Sequence, residues 1–210
     1  MRSLPEQRVC PRVVSSMEGY SGSIFDVLVD HVALHRGDET VRREYMKHPG
    51  GVGIVALRES ESGPEILLIS QYRHAVRETI WEVPAGLRDV AGEPPLETAK
   101  RELREEADLT AKRWNVLLDV YTSPGCSDEE LRVFLARDLE ESGEAFQRSD
   151  EEEDMDLIWV PLKKALKMIL RGHIRNPSAV SGILATALHL DEESFELRAG
   201  NWEESTAKDR

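Results

Sequence analysis

The order of apolar and polar positions along the chain predicts a sheet with helices on its faces. Short apolar runs separated by turn residues are typical of strands. Such runs follow Gly51: GIVALRE (53–59), EILLISQYR (65–73), TIWEV (79–83), WNVLLDVYT (114–122), LRVFLARDL (131–139) and LIWVP (157–161).

Other segments repeat apolar residues every three or four positions, which predicts amphipathic helices. The first helix begins at Pro94 and Pro95, because the first turn of a helix makes no use of the N–H groups that proline lacks. Asn176 and Pro177 supply an N-cap and a first-turn residue for the last helix. The remaining sequences are PLKKALKMILRG (161–172) for the second helix and SAVSGILATALHL (178–190) for the last.

The first 48 residues have the pattern of a separate small element. Residues 1–20 show little periodicity and are expected to form an irregular arm. Residues 22–47 read as a strand pair with a Gly-containing turn, which must pack on something because a lone hairpin is marginal. It is either an added sheet on the main domain or a dimerisation element. We therefore expect an arm and hairpin at 1–48, a main domain at 49–195 and a fraying acidic tail at 196–210.

Composition narrows the possible functions. The 210 residues include 40 acidic and 27 basic ones, a formal net charge of −13. This balance argues against nonspecific binding to nucleic acid or to a membrane surface, both of which need basic patches. Cys10 and Cys126 have no metal-ligand spacing, so a disulfide framework or zinc site is not expected. The chain has no long apolar run of a signal peptide or membrane span, and we expect a cytoplasmic protein.

The predicted first helix carries an unusual concentration of negative charge. Its apolar stripe is Leu96, Ala99, Leu103 and Ala107. The other face carries Glu102, Glu105 and Glu106, and the first and last of these are neighbours at i, i+4. Such a face can be simply solvated, with nearby basic residues relieving the repulsion. A divalent cation would relieve it directly, because hard cations prefer carboxylate oxygen.

The stretch from residue 81 to 110, WEVPAGLRDVAGEPPLETAKRELREEADLT, resembles the Nudix hydrolase box. Gly86 and Glu93 take its first two fixed places, and RELREEADL (101–109) follows in register. There are two departures. Six residues rather than five separate Gly86 from Glu93, and Asp108 stands where the family has glycine. Aspartate tolerates the left-handed conformation that a helix C-terminus often needs, so neither departure disturbs the carboxylate core.

The resemblance implies a fold, a reaction and a metal site. The fold is α/β, a Nudix α/β/α sandwich with a mixed sheet plus a small N-terminal β-sheet element. The reaction is hydrolysis of a nucleoside diphosphate linked to another group, with Mg²⁺ or its possible substitute Mn²⁺. The implied metal ligands are Glu102, Glu106 and the backbone carbonyl of Ala85. Arg101 would orient the carboxylates, and Glu93 either fixes the loop to the helix or is a solvated first-turn residue.

A proline sixteen residues after the glycine position of the box, Pro124, resembles the ADP-ribose pyrophosphatase type within the family, notably that of actinobacteria. In that type Arg73 and Glu82 would contact the phosphates and ribose of a nucleoside diphosphate sugar. Arg43 would reach a substrate bound to the other subunit, which implies a homodimer. A surface ion pair is the alternative role for Arg73 and Arg43.

A general base is sought in the acidic run at 150–154, between two predicted strands. Such runs are usually solvated loops. Related enzymes carry a catalytic glutamate here, which favours Glu152, with Glu151 and Glu153 as alternatives and Glu105 of the box as the next candidate.

These observations predict Mg²⁺-dependent hydrolysis of ADP-ribose to AMP and ribose 5-phosphate. One alternative keeps the chemistry with another nucleoside diphosphate sugar or a dinucleotide. A second alternative is a non-catalytic module that senses ADP-ribose. The intact carboxylates and the absence of a basic helix-turn-helix extension favour the enzyme.

Overall fold

A computed structural model describes residues 11–34, 39–143, 155–192 and 196–202. It divides into two compact units. The first consists of Met1–Pro49 with Ser123–Glu129, and the second of Gly50–Thr122 with Glu130–Arg210. The loop glutamates Glu151, Glu152 and Glu153 lie outside the described residues.

The first unit is a three-stranded antiparallel sheet in the order β1-β2-β3. Its strands are β1 (Arg12–Ser21), β2 (Asp26–Ala33) and β3 (Val41–Lys47). The segment 123–129 joins this sheet through backbone bonds from Met46 N to Cys126 O, 2.8 Å, and from Asp128 N to Met46 O, 3.1 Å. The predicted β2–β3 hairpin and the small N-terminal sheet are thus confirmed.

The prediction of an irregular arm over residues 1–20 is wrong where the structure describes it. Residues 12–21 form β1, which pairs with β2 along its length. Every residue of β1 is exposed, so burial imposes no alternation on its sequence. The strand is held by backbone pairing, and hydrophobic periodicity cannot reveal such a strand.

The second unit is built on a mixed sheet in the order β10-β5-β4-β9-β8-β11, with β6 beside β5 and β7 beside β4. β4 and β9 run parallel, and the other pairings are antiparallel. The strands are β4 (Gly51–Ser60), β5 (Gly63–Arg73), β6 (Glu78–Glu82), β7 (Ala85–Leu87), β8 (Leu109–Tyr121), β9 (Glu130–Glu141), β10 (Leu157–Pro161) and β11 (Arg198–Ala199).

Helices cover both faces of this sheet, as the predicted α/β/α architecture requires. The helices are α1 (Pro95–Ala107), α2 (Leu162–Leu170) and α3 (Pro177–Asp191). Along β4 the side chains alternate between the two layers: Ile54 packs with Leu103 of α1, and Val55 packs in the layer that holds α2 and α3. No helix in the described part of the chain is long and apolar enough to cross a membrane.

The ends of α1 and α3 follow from residues that the sequence identified. Pro95 begins α1, and Asp108 caps its C-terminus in the left-handed conformation at φ 54°. Aspartate therefore does here what glycine does elsewhere. Asn176 caps α3, where its side chain accepts a hydrogen bond from the backbone N–H of Ala179 at 3.1 Å.

Three features differ from expectation in the second unit. β8 begins at Leu109, directly after α1, rather than at residue 114. The three-residue β7, which was not predicted, pairs with β4 next to the box glycine. Residues 198–199 do not fray but pair with β8 as β11. Strands this short carry too few positions for a periodic pattern.

Candidate active site

Helix α1 places Glu106 against the backbone of β7. Its apolar stripe packs on the sheet, and this turns Glu102 and Glu106 inward, so both are buried. The backbone N–H of Ala85 donates a hydrogen bond to Oε2 of Glu106 at 2.9 Å. The loop that carries Ala85 is therefore tied directly to one of the helix carboxylates.

Gly86 is in close contact with Glu102. A Cβ atom built on Gly86 would lie 2.1 Å from Cδ of Glu102 and 2.2 Å from its Oε1. Real Cβ atoms do not approach other atoms this closely, so no side chain fits without displacing the carboxylate. The first fixed glycine of the box is explained by this approach of backbone to carboxylate.

Arg101 links the carboxylates that surround it. Its Nη1 donates to Oε1 of Glu102 at 2.7 Å and to Oε2 of Glu105 at 3.1 Å. Its Nη2 donates to Oε2 of Glu93 at 3.4 Å. Burial alone would lower the pKa of this guanidinium, but the three surrounding carboxylates raise it above its ordinary value. Arg101 is therefore a fixed positive charge within the carboxylate cluster.

Glu93 is held at the start of α1 rather than solvated. Besides Arg101, its Oε2 accepts a hydrogen bond from Oγ1 of Thr98 at 2.9 Å. The loop before the helix is thus fixed to the first turns of α1. Thr98 was not singled out from the sequence. Its position four residues before Glu102, on the same face of the predicted helix, is a signal that could have identified it.

The donor set at α1 and β7 fits a hard divalent cation. Glu102 and Glu106 are buried like charges at i, i+4, whose repulsion a cation would relieve. In the described part of the chain no three histidine, cysteine, aspartate or glutamate side chains form a metal site by themselves. A cation here would therefore need further oxygen ligands, such as the carbonyl of Ala85, water or a phosphate.

Arg73 and Glu82 form a bidentate ion pair across the β5–β6 hairpin. Nε and Nη2 of Arg73 donate to the two carboxylate oxygens of Glu82 at 2.8 and 2.7 Å. The Glu82 side chain is fully buried, whereas that of Arg73 is 40% exposed. The buried carboxylate therefore fixes the direction of a guanidinium that still reaches solvent.

The two remaining predicted site residues lie in the first unit. Arg43 is an exposed residue of β3, and its Nη1 donates to the carbonyl of Arg42 at 2.9 Å. Pro124 is exposed and belongs to the segment 123–129. The structure thus brings together Glu93, Arg101, Glu102, Glu105, Glu106 and Ala85, and it holds Arg73 with Glu82.

The chain is similar to known proteins over most of its length. A family model described as the NUDIX domain matches residues 47–180. The chain is 45% identical over 172 residues to an "ADP-ribose pyrophosphatase" of Mycobacterium tuberculosis, covering 82% of this chain and 81% of that protein. It is 37% identical over 169 residues to an "ADP-ribose pyrophosphatase" of Bacillus subtilis, covering 80% of this chain and 85% of that protein.

A solved structure shares the fold. The structure titled "Crystal structure of ADP compounds hydrolase" matches with a TM-score of 0.71 at 20% identity, covering 90% of this chain and 99% of that one. The α/β/α sandwich and the carboxylate-bearing helix define a hydrolase of the Nudix class. The chain belongs to the Nudix family.

Proposed function

We propose that this enzyme hydrolyses the pyrophosphate of ADP-ribose to AMP and ribose 5-phosphate in a Mg²⁺-dependent reaction. The proposal rests on two contacts between α1 and β7: the hydrogen bond from Ala85 N–H to Glu106, and the close approach of Glu102 to Gly86. Two relatives that this chain matches over most of its length bear the name ADP-ribose pyrophosphatase, which favours ADP-ribose over other nucleoside diphosphate derivatives.

Glu102, Glu106 and the carbonyl of Ala85 would hold the divalent cation. When bound, the cation neutralises charge on the pyrophosphate and lowers the pKa of a bound water. The protein residues supply the geometry. Arg101 holds Glu102 and Glu105 in place, and Ala85 N–H holds Glu106, so the two carboxylates keep their spacing when no cation is present.

Arg73 is proposed to contact a phosphate of the substrate. Its bonds to Glu82 use Nε and Nη2, and its partly exposed side chain can approach an anion. Glu82 would contact the ribose and would also position Arg73. Its fully buried carboxylate restricts the guanidinium of Arg73 to one direction. An ion pair held this way loses little side-chain freedom when substrate binds.

Glu152 is proposed as the general base, with Glu151 and Glu153 as alternatives. Glu102 and Glu106 would hold the cation, and a carboxylate used as a cation ligand would not be available as the general base. Glu105 is the next candidate, although its Oε2 accepts a hydrogen bond from Arg101. This hydrogen bond occupies an acceptor atom of Glu105, which favours Glu151, Glu152 or Glu153 as the base.

The first unit is proposed to mediate homodimerisation. β1 exposes Val13, Val14, Met17 and Tyr20, and its outer edge pairs with no other strand in the described part of the chain. Pairing with a second copy would cover this surface, and most homo-oligomers are two-fold dimers. Arg43 of one subunit would then contribute to the substrate site of the other, and Pro124 is proposed as a further substrate-binding residue.

The proposed reaction is tested by identifying its products. The protein is incubated with ADP-ribose and Mg²⁺ in ¹⁸O-water, and the masses of the products are measured by mass spectrometry. We expect AMP and ribose 5-phosphate, with ¹⁸O in one of them, and no turnover after EDTA treatment until Mg²⁺ or Mn²⁺ is restored. Free ADP and ribose as products, or full turnover in EDTA, would contradict the proposal.

A further inference from the structure

A groove lies at the opposite end of β4 from β7, and Leu109, which follows the C-terminal cap of α1, is part of its lining. It has a volume of about 450 Å³ and is formed by the ends of β4, β8 and β9 together with β10. Its walls include Leu57, Leu139 and Trp159 as apolar residues and Arg58, Arg113 and Arg137 as basic ones. The volume lies in the range of small-molecule sites, 300 to 1,000 Å³.

This groove is separate from the candidate active site. Val52 of β4 pairs with Gly86, whereas Arg58 of the same strand lines the groove. Six residues of a strand span roughly 20 Å at about 3.3 Å per residue. Neither Glu102 nor Glu106 lines the groove, although Leu109, three residues after Glu106, does.

Two of the arginines in the groove are neutralised by carboxylates. Arg58 donates to Glu65 from Nε at 3.0 Å and from Nη2 at 2.8 Å, and its guanidinium lies 3.9 Å from the ring centroid of Trp159. Arg113 donates from Nη2 to Oδ1 of Asp138 at 2.9 Å. Asp138 adopts a left-handed backbone, φ 56°, in making this contact.

Arg137 differs from both. It stands directly opposite Arg113 in the β8–β9 ladder, and like charges in that position destabilise a sheet. Its Nη2 donates to the neutral amide oxygen of Asn115 at 2.7 Å. Its Nε is buried and has no hydrogen-bond partner among the described residues. Burial, and then the neighbouring charge of Arg113, lower the pKa of Arg137, and the nearby carboxylate of Asp138 offsets only part of this effect.

We propose that this groove binds the phosphate group of a small molecule through Arg137. Arg137 lines the groove, and a phosphate oxyanion there would give its guanidinium an anionic partner in addition to the neutral amide of Asn115. The fork of a guanidinium matches two phosphate oxygens.

The rim of the groove limits which phosphate ligands fit. Glu59, Glu140 and Glu141 line it, and of these Glu140 contacts Lys112. Carboxylates at the rim repel a ligand with several phosphates more strongly than a phosphomonoester. The leucines and Trp159 offer apolar area to the rest of the ligand. A phosphomonoester with an apolar or aromatic portion is therefore the expected class.

The binding test follows the Nε–Hε resonance of Arg137 in ¹⁵N-labelled protein. The protein is titrated with inorganic phosphate, and separately with AMP, in EDTA so that no divalent cation links a ligand to the carboxylate helix. We expect a saturable shift of this resonance, assigned by its absence in Arg137→Gln, with AMP binding at least as tightly as phosphate. A shift with inorganic phosphate but not with AMP would support a phosphate site that excludes the nucleoside. No shift with either ligand would overturn the proposal.

Substitutions distinguish the effect of the Arg137 charge on phosphate binding from a loss of the fold. Asn115→Asp places an internal carboxylate beside Arg137 and should weaken phosphate binding at least tenfold without removing the arginine. Calorimetric titration with AMP in EDTA measures binding where the Arg137 resonance is absent. Arg137→Gln should abolish binding, Arg137→Lys should retain part of it, and the exposed Arg171→Gln should bind like the wild type. All four should keep the wild-type kcat/KM. Unchanged binding in folded Asn115→Asp and Arg137→Gln would overturn the proposal.

Discussion

Gly86 and Glu102 show how one missing side chain shapes a carboxylate site. The distance of 2.1 Å from a built Cβ to Cδ of Glu102 leaves no room for a methyl group. Gly86→Ala should therefore displace either Glu102 or β7, destabilise the protein by about 1–3 kcal/mol as overpacking does, and reduce kcat. Urea unfolding and steady-state kinetics measure the two effects.

A double variant distinguishes this contact from a general loss of stability. Glu102→Asp shortens the side chain by one methylene, so Gly86→Ala should cost less stability in that background than in the wild type. Equal costs in both backgrounds would show that the added methyl group does not meet Glu102.

The two buried glutamates of α1 are expected to be essential for turnover. Glu106→Gln and Glu102→Gln nearly preserve shape but each removes a charged cation ligand. Loss of residues that only support metal ligands already costs 10–100-fold, so each variant should lose more than about 100-fold in kcat with an unchanged melting temperature. Glu97→Gln on the exposed face of α1, where Glu97 pairs with Lys100, is the matched control. Near-wild-type turnover of either buried variant at saturating Mg²⁺ would refute the ligand assignment.

The C-terminal segment is attached to β8 by a partly buried charge cluster. Asp119 accepts hydrogen bonds from Arg132 at 2.6 Å and from Arg198 at 2.6 Å. The guanidiniums of both arginines lie over the ring of Trp202, at 5.2 and 4.4 Å. Burial alone would raise the pKa of Asp119, but the two arginines outweigh it and hold the pKa below the ordinary 3.8.

This cluster predicts a pH dependence of stability. Because the folded pKa of Asp119 is depressed, its contribution is complete above the unfolded value of 3.8 and is lost as the pH falls through the lower folded value. Asp119→Asn should cost about 2 kcal/mol at pH 7, between the values for exposed and fully buried pairs. The difference from wild type should shrink below pH 3.8.

Urea unfolding at several pH values measures this difference. Asp138→Asn, which affects the exposed pair with Arg113, is the control and should change stability much less. A cost of Asp119→Asn that stays constant down to the acid limit would contradict the assigned linkage.

The elements that the sequence predicted are those whose ends or faces are dictated locally. Pro95 and Asp108 mark α1, and Asn176 marks α3, because each residue satisfies or spares backbone groups at a helix end. β1 escaped prediction because it is exposed throughout and held by pairing with β2. β11 escaped because its attachment depends on Asp119 and Arg132, distant residues whose proximity no local pattern records.

In the candidate active site, too, the sequence predicts the local features and only the fold shows the contacts between distant residues. The spacing of the box identified Glu102 and Glu106 as partners, since helical periodicity places them on one face. The contact of Gly86 with Glu102 and the bond from Ala85 N–H to Glu106 bridge about twenty residues of sequence, and only the fold brings them together. The bidentate pairing of Arg73 with Glu82 likewise depends on the register of the β5–β6 hairpin.

The catalytic activity is expected to require a homodimer, because each substrate site is proposed to use a side chain of the other subunit. Arg43→Ala removes a side chain proposed to serve the other subunit, and Glu106→Gln inactivates the site of its own subunit. Each variant alone should be nearly inactive. After mixing and subunit exchange, about a quarter of the sites would combine an intact Glu106 with an intact Arg43, as random two-fold pairing requires.

Recovery of activity on mixing is followed by kinetics, and the assembly state by light scattering. No recovery despite demonstrated exchange would show that Arg43 does not act across subunits. A monomer that is fully active at nanomolar concentration would exclude the dimer model altogether.

ADP-ribose is the substrate that we propose for this Nudix enzyme. The most direct measurement is kcat/KM with Mg²⁺ for ADP-ribose, ADP-glucose, GDP-mannose and NADH under the same conditions. We expect ADP-ribose to have the highest kcat/KM. Another substrate that leads by tenfold, which corresponds to about 1.4 kcal/mol in transition-state binding, would contradict it.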